Sequence, residues 1–594
     1  MVKIGIEIHQ RIDTNKLFCN CSSTISDSAI PNSIISRKLH PVLSELGEFD
    51  KAALAEYQKN RIYEYQLFDK NTCLVETDEE PPHSMNSDAL MIALQISMHL
   101  NCKLVDEVHI MRKMVIDGSN TSGFQRTSVI AMGGYIETSK GKVSITQIAI
   151  EEESSGIVEN KESKVIYRLD RLGIPLIEIT TDPDIKDAQH LVEVAEKIGL
   201  LLRATGKVAR GLGTIRQDVN ISTEDGARVE IKGAQDLKLL PTLMETEVKR
   251  QKELIKISGE LKTKFNGKIT IQRIFVNITN VFVNTQAPMV KNGIANGEVV
   301  YGLRLQHLKG ILGRELQPNK RYGTELSDYA KTAGVKGIIH SDETLEKYGF
   351  AEQETSSLRK TLNIGDNDAF VLVIAKEDVA KRALENVAKR CEMDFVPEET
   401  RKANPDGTTN YMRPLAGKAR MYPETDVPPI AIDAKLLKEV KENKSESLDE
   451  KKEKLAKILN KEMAESMLRS KNLQLFEKLL SLDVDPVLIA NTLENTVVSL
   501  RREGIVISDL EMVMIDLFTN YKKGLFVKAA IIEILKHVSK GMPVGEAVEK
   551  NNLGKLSGAE LQKIAQENNF DIAKIMQKYR LRIEPSDVAK LKKN

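Results

Sequence analysis

Thr214-Ile215-Arg216-Gln217-Asp218-Val219-Asn220-Ile221-Ser222 and Arg228-Val229-Glu230-Ile231-Lys232, joined by the turn Thr223-Glu224-Asp225-Gly226, read as a β-hairpin with two unlike faces. Side chains alternate sides along a strand. Ile215, Val219 and Ile221 therefore point inward, with Gln217 the polar member of their row, while Arg216, Asp218, Asn220 and Ser222 share the other face. In the second strand Val229 and Ile231 continue the apolar row, and Glu230 and Lys232 lie opposite. One such polar row is ordinary. Two adjoining rows offer a phosphate partner, carboxylates, an amide and an ammonium within a few ångströms, which is the floor of a cleft.

The same alternation extends outward from this hairpin. In Lys3-Ile4-Gly5-Ile6-Glu7-Ile8-His9-Gln10 the isoleucines form an apolar face, and Gly5, Glu7 and His9 share the other. A carboxylate and an imidazole so placed meet a cation or a phosphate, or else line the solvent side of an edge strand. Ile148-Ala149-Ile150-Glu151-Glu152-Glu153 ends a strand in three acids, whose repulsion calls for a cation unless water solvates them. Gly173-Ile174-Pro175-Leu176-Ile177-Glu178-Ile179-Thr180 is nearly continuous apolar sequence, as in a strand covered on both faces. Glu178 in that company needs a partner, either a buried ion pair or a metal or substrate. The loop Asp117-Gly118-Ser119-Asn120-Thr121-Ser122-Gly123-Phe124-Gln125-Arg126-Thr127 can present backbone N–H groups and the hydroxyls of Ser119 and Ser122 to a phosphate, with Arg126 as counter-charge; the alternative is a surface turn. No G-x-x-x-x-G-K-[ST] or G-x-G-x-x-G motif occurs, and there is no nucleophile elbow or kinase signature. Nucleotide chemistry, if the chain performs it, must lean on a carboxylate-held metal and on that loop.

The chain has 594 residues, 41% hydrophobic and 29% charged, which excludes collagen-like, disulfide-scaffold and mostly disordered classes and suggests about four domains. Lys plus Arg number 86 against 85 Asp plus Glu, a net charge of +1, so any RNA contact must come from local patches. Five cysteines without an even framework point to a reducing compartment. Glu7 precedes any apolar run, unlike a signal peptide, and apolar stretches such as Ala369–Ala375 are too short to span a bilayer; the expectation is a cytoplasmic protein. Cys19-Asn20-Cys21 is half of a zinc knuckle, but the spacing of Cys73 and His83 fits no standard second half, so structural zinc is not expected. The first 250 or so residues carry short β runs, with one helical stretch over 184–203. Ile269–Val283 and Val299–Leu305 alternate and a helix follows at Glu377–Arg390, marking about 275–400 as a separate α+β unit. Asn404–Pro429 reads as a polar loop rich in proline. After Ile432 the pattern is helical, ending in short amphipathic helices and Lys590, Lys592 and Lys593.

Gly5–His9, Leu17–Cys21, Arg168–Ile179, Arg216–Ser222 and Met421–Pro429 together resemble the B/E subunits of tRNA-dependent amidotransferases. Ile116–Thr127, Val299–Gly313 and the middle domain resemble the archaeal E type, and the likeness covers essentially the whole chain. It implies an α+β multidomain protein: a β-rich cradle, catalytic, at 1–275 and 401–432; an inserted α+β domain at 276–400 similar to one in bacterial-type aspartyl-tRNA synthetases; a helical domain at 433–540; and a small helical tail at 541–594 that binds tRNA. The implied reaction is ATP-dependent conversion of Glu-tRNA(Gln) to Gln-tRNA(Gln), with Mg²⁺. Ammonia would come from an asparaginase-like glutaminase, the D-type partner, in a hetero-oligomer (a heterodimer or a dimer of heterodimers). By motif, Glu7, His9, Glu152 and Glu178 are the implied Mg²⁺ neighbourhood, with Glu230 a further candidate. Arg216 and Lys232 would offset phosphate charge, and Asp218 and Asn220 would position the glutamyl end or ammonia. Two other functions stay open at this level, a non-catalytic tRNA-binding scaffold and a ligase that aminoacylates tRNA directly. In the tail, Lys574, Lys578, Arg580, Arg582, Lys590, Lys592 and Lys593 form the local basic excess.

Overall fold

Ile4, Ile6 and Ile8 are wholly buried, as their alternation requires, and their strand, Lys3–Arg11, lies in the middle of the largest sheet. The computed structural model of the chain describes residues 2–25, 29–45, 47–161, 163–443, 445–556 and 558–591. Among these the largest sheet has eleven strands. From one edge it runs Thr409–Pro414, Glu399–Ala403, Val229–Lys232, Ile215–Ser222, Lys3–Arg11, Pro175–Thr181, Gly141–Glu152, Phe124–Thr138, Ile110–Met114 and Met421–Pro423, with Lys103–Leu104 beside Phe124–Thr138. Neighbours are antiparallel except Val229–Lys232 and Glu399–Ala403, which run parallel. The segment from 399 to 423 thus forms both edges of a sheet whose middle comes from the first 232 residues.

One face of this sheet is apolar. Ile6, Ile8, Ile148, Ile150, Ile177, Ile179, Val219, Ile221, Val229 and Ile231 share one core with the helices Ser87–His99, Ala188–Ala204 and Leu240–Lys264. The other face is the polar one, an arrangement open to antiparallel sheets. Pro175–Thr181 is buried on both sides, but Ile177 and Ile179 meet the core whereas Leu176 and Glu178 face a cleft.

A second sheet, Ser33–Arg37, Ile62–Leu67, Lys164–Arg168 and Gly156–Asn160, packs around Tyr63, Tyr65 and Tyr167. A third comprises Phe275–Asn277, Val299–Leu305, Ala369–Ala375 and Ile339–His340. On one side it buries Ile278, Phe282, Val300, Phe370 and Leu372; on the other, Leu303, Leu305, Val371 and Val373 join the main core together with the helix Glu377–Glu392. The alternating run expected over Ile269–Val283 is a strand only at Phe275–Asn277, followed by a 3₁₀ turn at Thr279–Phe282. Ile269 and Ile271 are buried outside any strand, so the alternation records burial and not pairing.

The chain divides into two compact units, Met1–Ser445 and Glu446–Asn594. The helix Ala434–Glu442 belongs to the first, where the Gln95 side chain donates to the Asn443 carbonyl at 2.7 Å. In the described residues of the second unit the regular elements are helices, apart from one bridge between Phe526 and Gly554. At its end Leu556, Leu561, Ala565, Ile575, Ile583 and Val588 form a small core of their own. Of the tail's basic residues, Lys574, Lys578, Arg580 and Lys590 are exposed and Arg582 donates to the Gly554 carbonyl at 2.9 Å. Lys592 and Lys593 lie outside the described residues. No helix among the described residues is long and apolar enough to cross a membrane.

Candidate active site

The register of the central strands decides which polar side chains meet. Glu7 pairs across Lys3–Arg11 with Asp218, and His9 with Arg216 on one side and Glu178 on the other. Glu230 is opposite Asn220. Apart from Asn220, their side chains line one cleft of about 600 Å³ that also receives Lys113, Asp117, Ser119, Glu151 and Lys232.

Two acidic groups stand on its floor. Glu7, Asp218 and Glu230 place oxygens within 4.8 Å of one another, and His9, Glu151 and Glu178 do the same with one nitrogen and two oxygens. Each has its own ammonium. Lys232 Nζ is 2.6 Å from Asp218 Oδ2 and 2.5 Å from Glu230 Oε1. Lys113 Nζ is 3.1 Å from Glu151 Oε2 and 3.7 Å from Glu178 Oε2. His9 Nε2 lies 3.4 Å from Glu178 and 3.6 Å from Glu151. The Asn220 amide donates to Glu7 Oε1 at 2.9 Å.

Burial pushes the Glu7 carboxyl up to about 7, and the charges of Glu178 and Glu230 add to the rise. For His9 burial acts downward, but the hydrogen bond and charge of Glu178 and the charge of Glu151 carry it up to about 9. Its ring is therefore an imidazolium at neutral pH. Burial opposes ionisation of Glu178, yet Lys113 and His9 hold its carboxyl well below the usual range. Lys232 is buried too, and Asp218 and Glu230 keep it firmly protonated.

The wall beside Ser119 is fixed from behind. Tyr63, Tyr167 and Tyr65 donate their hydroxyls to the backbone carbonyls of Ile116, Asp117 and Gly118 at 2.9, 2.8 and 2.8 Å. Gly118 has φ +86°, and a Cβ there would sit 2.2 Å from the Tyr63 ring. Only glycine fits where backbone and ring approach so closely. The Asp117 carboxylate accepts from Ser119 N–H at 3.0 Å, so both residues are held at the rim.

Glu7, His9, Glu178, Arg216, Asp218, Glu230, Lys232 and Ser119 all line the cleft, and Asn220 reaches it through Glu7. Three expected residues do not. Glu152 points to the other side of its strand, where it accepts the Arg126 N–H at 3.0 Å and faces the Arg126 guanidinium at 3.4 Å. Arg126 also pairs with Glu424 at 2.6 Å, so its charge is already neutralised. Ser122, whose hydroxyl donates to the Phe124 carbonyl, lines with Arg126 and Glu152 a separate small cavity beside Lys16 and Glu76. The physical reason is pleat: Ile148 and Ile150 face the core, so Glu151 and not Glu152 shares a face with Ala149 on the cleft side. Likewise Gln125 and Thr127 face the cleft, and Arg126 between them cannot.

Sequence reasoning misses Glu151, Lys113, Arg228, Arg413 and Arg420 as cleft residues. Alternation is signal enough for Glu151 and for Arg228 in the row of Glu230, whereas Lys113 follows Arg112 and shares its face with Met111 and Val115, so no polar row marks it. Arg413 and Arg420 arrive on the segment that forms the sheet edges, and no local pattern marks that. The expectation of no structural zinc rests on chain spacing, and folding removes that ground: Cys19, Cys21, Cys73 and Glu76 converge behind the small cavity.

The GatB/GatE catalytic domain family matches residues 2–438. The chain is 46% identical over 576 residues to the E subunit of the glutamyl-tRNA(Gln) amidotransferase of Methanocaldococcus jannaschii, covering 95% of this chain and 90% of that protein. It is 45% identical over 582 residues to the E subunit from Pyrococcus abyssi (96% and 91% covered) and 44% over 579 to that from Sulfolobus acidocaldarius (95% and 90%). A catalytic-domain match over most of its length, with the polar cleft inside that match, means that this chain belongs to the GatB/GatE family.

Proposed function

We propose that this chain is the carboxylate-activating subunit of a Glu-tRNA(Gln) amidotransferase. A side-chain oxygen of the glutamate esterified to tRNA attacks the γ-phosphorus of ATP and ADP leaves. Ammonia nitrogen then attacks the activated carbonyl carbon, loses a proton, and inorganic phosphate departs. A carboxylate is a poor electrophile, so the catalyst must gather phosphates around it and balance their charge.

The observation that carries this reading is the joint presence of the two acidic groups, each with an ammonium, on the floor of one cleft rimmed by Arg216, Arg228, Arg413 and Arg420. Lys232 and the rim arginines offset phosphate charge. The imidazolium of His9 offers a hydrogen bond to an anionic oxygen, and Asp218 and the Asn220-held Glu7 orient what enters. Ser119, on the loop held by the tyrosines, faces the phosphates. Glu7, Asp218 and Glu230 fit Mg²⁺, being oxygen donors only, and the raised pKa of Glu7, due first to burial and then to the charges of Glu178 and Glu230, is of the kind a bound cation would offset. When bound, Mg²⁺ neutralises phosphate charge. His9, Glu151 and Glu178 already hold a proton and the Lys113 ammonium, and serve as the second electrostatic contact.

The names of the relatives support a multi-subunit assembly with tRNA. We assign the ammonia source to an asparaginase-like glutaminase partner, the D type, in a heterodimer or a dimer of heterodimers. We assign tRNA contact to the tail, with the cradle at 1–275 and 401–432 around the 276–400 insert and helical and tail domains at 433–540 and 541–594. The test is an amidation assay with the purified chain, ATP, ammonium and Glu-tRNA(Gln), with and without a glutaminase. Product with ammonium alone is expected, and its loss in Glu178→Gln. Wild-type turnover in that variant would make the chain a scaffold, and loading of free glutamine onto tRNA without a partner would make it a ligase.

A further inference from the structure

Glu153, the last of the three acids after Ile150, follows directly on the strand Gly141–Glu152 and is wholly buried. Its backbone is pinned on both sides: the N–H donates to the Ile174 carbonyl at 2.7 Å, and the carbonyl accepts the Gly173 N–H at 2.9 Å. Continuing the pleat gives its side chain the side of Glu151. There it meets three arginines. Arg11 grips both oxygens, Nη2 reaching Oε1 at 3.0 Å and Nε reaching Oε2. Arg216 Nη1 is 3.1 Å and Arg171 Nε 3.5 Å from Oε1. The three come from different elements. Arg11 ends the central strand two residues beyond His9, and Arg216 stands opposite His9 on the neighbouring strand. Arg171 lies in the turn before Pro175–Thr181 and donates to the carbonyls of Ser154 and Ser155 at 2.8 and 2.9 Å. Of the three only Arg216 lines the cleft; Arg11 and Arg171 line a second cavity of about 840 Å³.

We propose that Glu153 is a positioning residue for the phosphoryl step: it fixes the Arg216 guanidinium at the cleft while leaving most of its charge to the phosphates. The inference rests on the part given to Arg216 above. An arginine in a one-to-one pair is held and neutralised together. Arg126 goes further, with Glu152 at 3.4 Å and Glu424 at 2.6 Å, two carboxylates to one guanidinium. Around Glu153 the ratio is reversed, and two positive charges are left in excess. Asp170, the nearby acid, is already taken by Arg168 through bonds of 2.8 and 2.5 Å. Burial lowers the pKa of Arg171, and although Glu153 opposes the fall, the charges of Arg216 and Arg11 add to it, as such an excess requires.

Like charges crowded together relax when an anion arrives. Arg216 is the member placed to meet one in the cleft. It spends one donor on Oε1, an oxygen that the two-point grip of Arg11 holds still, and the rest of its fork stays available to phosphate oxygens. The strand and its extension thus deliver two carboxylates to one side. Glu151 serves the cations of the floor, and Glu153 serves the arginine at the rim.

The test is a double-mutant cycle on the purified full-length chain, read as kcat and KM for ATP in amidation with ammonium, with urea denaturation to confirm folding. Glu153→Gln keeps the size of the side chain and removes its charge. It should lower kcat about 10- to 100-fold, the scale of an ångström of misplacement, without raising KM for ATP, because the field at the phosphates becomes more positive. In an Arg216→Ala background the same exchange should change kcat by no more than about twofold, since no guanidinium is left to orient. A purely structural role would give losses that multiply. Glu153→Asp keeps the charge and should lose less, about three- to tenfold; if the glutamine variant does not fold, the cycle run with Glu153→Asp decides by the same criterion. Wild-type kcat in the folded Glu153 variants beside a slow Arg216→Ala, or losses that multiply, would overturn the proposal and leave the reading of the cleft standing. Wild-type turnover in Arg216→Ala would overturn both the proposal and the part given to Arg216.

Discussion

Glu151 and Glu152 are neighbours in sequence and face opposite ways, so exchanging each for glutamine separates the cleft from the core. Glu151 holds Lys113 at 3.1 Å, within hydrogen-bond reach, and His9 at 3.6 Å, beyond it. Glu151→Gln keeps an amide oxygen that can accept from Lys113 but strips the charge from a charge-assisted hydrogen bond worth about 1.5–3 kcal/mol, leaving a neutral acceptor worth about 1 kcal/mol. If that bond positions Lys113 in the transition state, the loss of about 0.5–2 kcal/mol lowers kcat for amidation about 2- to 30-fold at 1.36 kcal/mol per decade, with little change in stability. Glu152 accepts one backbone N–H at 3.0 Å and lies 3.4 Å from a guanidinium that keeps its bond to Glu424. The glutamine oxygen can still accept the N–H, so Glu152→Gln should cost stability near the lower end of the charge-assisted range, about 1.5 kcal/mol, and leave kcat within a few-fold. The measurements are single-turnover amidation with saturating ammonium, ATP and Glu-tRNA(Gln), and urea denaturation followed by tyrosine fluorescence. A variant pair in which Glu152→Gln abolishes turnover at unchanged stability while Glu151→Gln is silent refutes the facing assigned to this strand.

Gly118→Ala drives a methyl into the Tyr63 ring at a left-handed φ, and should raise KM for ATP at least tenfold while KM for Glu-tRNA(Gln) moves little; Tyr65→Phe, which removes only the hydrogen bond to Gly118, should do the same more weakly. Glu325→Gln leaves Arg250, Arg390 and Arg401 short of one buried counter-charge and should destabilise the first unit by about 3–5 kcal/mol in urea. Burial alone would raise the Glu424 carboxyl, but hydrogen bonds from Arg112 and the Asp426 N–H, with Arg126, bring it from 4.5 down to about 2. A carboxyl depressed on folding stabilises above its unfolded pKa, so the stability gap between wild type and Glu424→Gln should be constant from pH 7 to 5 and shrink as pH falls through 4.5 towards 2. Lys574→Ala with Lys578→Ala should weaken tRNA binding with a shallower salt dependence and no change in base preference, read by filter binding across a salt series.

Much of the site is legible because a strand has a period of two. Glu7, His9, Asp218, Glu230 and Lys232 each sit beside a buried Ile or Val in the chain, and that contrast is visible in ten residues. Motif likeness misplaces Glu152, where the alternation of Ile148 and Ile150 points the other way. The helix over 184–203 begins at Ala188 because Asp187 caps it, accepting the His190 N–H, whereas periodicity alone starts it too early. The stretch Asn404–Pro429 reads as loop from its prolines and glycine, yet Thr409–Pro414 and Met421–Pro423 are edge strands. Proline is tolerated at a sheet edge, and a strand of three residues has no period to detect. The cysteine cluster is invisible for a related reason, since Cys73 reaches Cys19 only through the fold.

The residues between the two parts of the largest sheet also bear on the cleft, by way of buried charge. Glu325, on the helix Tyr322–Lys331, meets Arg250 at 2.7 Å and Arg390 and Arg401 at 3.2 Å, and Glu247 and Glu399 supply the remaining counter-charges. Three arginines and three glutamates so balanced, all nearly inaccessible, have one low-energy arrangement, because any displacement strands a charge in a low dielectric. Arg401 and Glu399 belong to the second strand from the edge, which runs parallel to Val229–Lys232, and Thr400 between them donates to Glu230 Oε2 at 3.2 Å. The same strand pairs with the one carrying Arg413 into the cleft. An error of an ångström in the knot is therefore an error in Glu230 and Arg413. The many residues between the two parts of the sheet act less as an appendage than as the clamp that sets its edge.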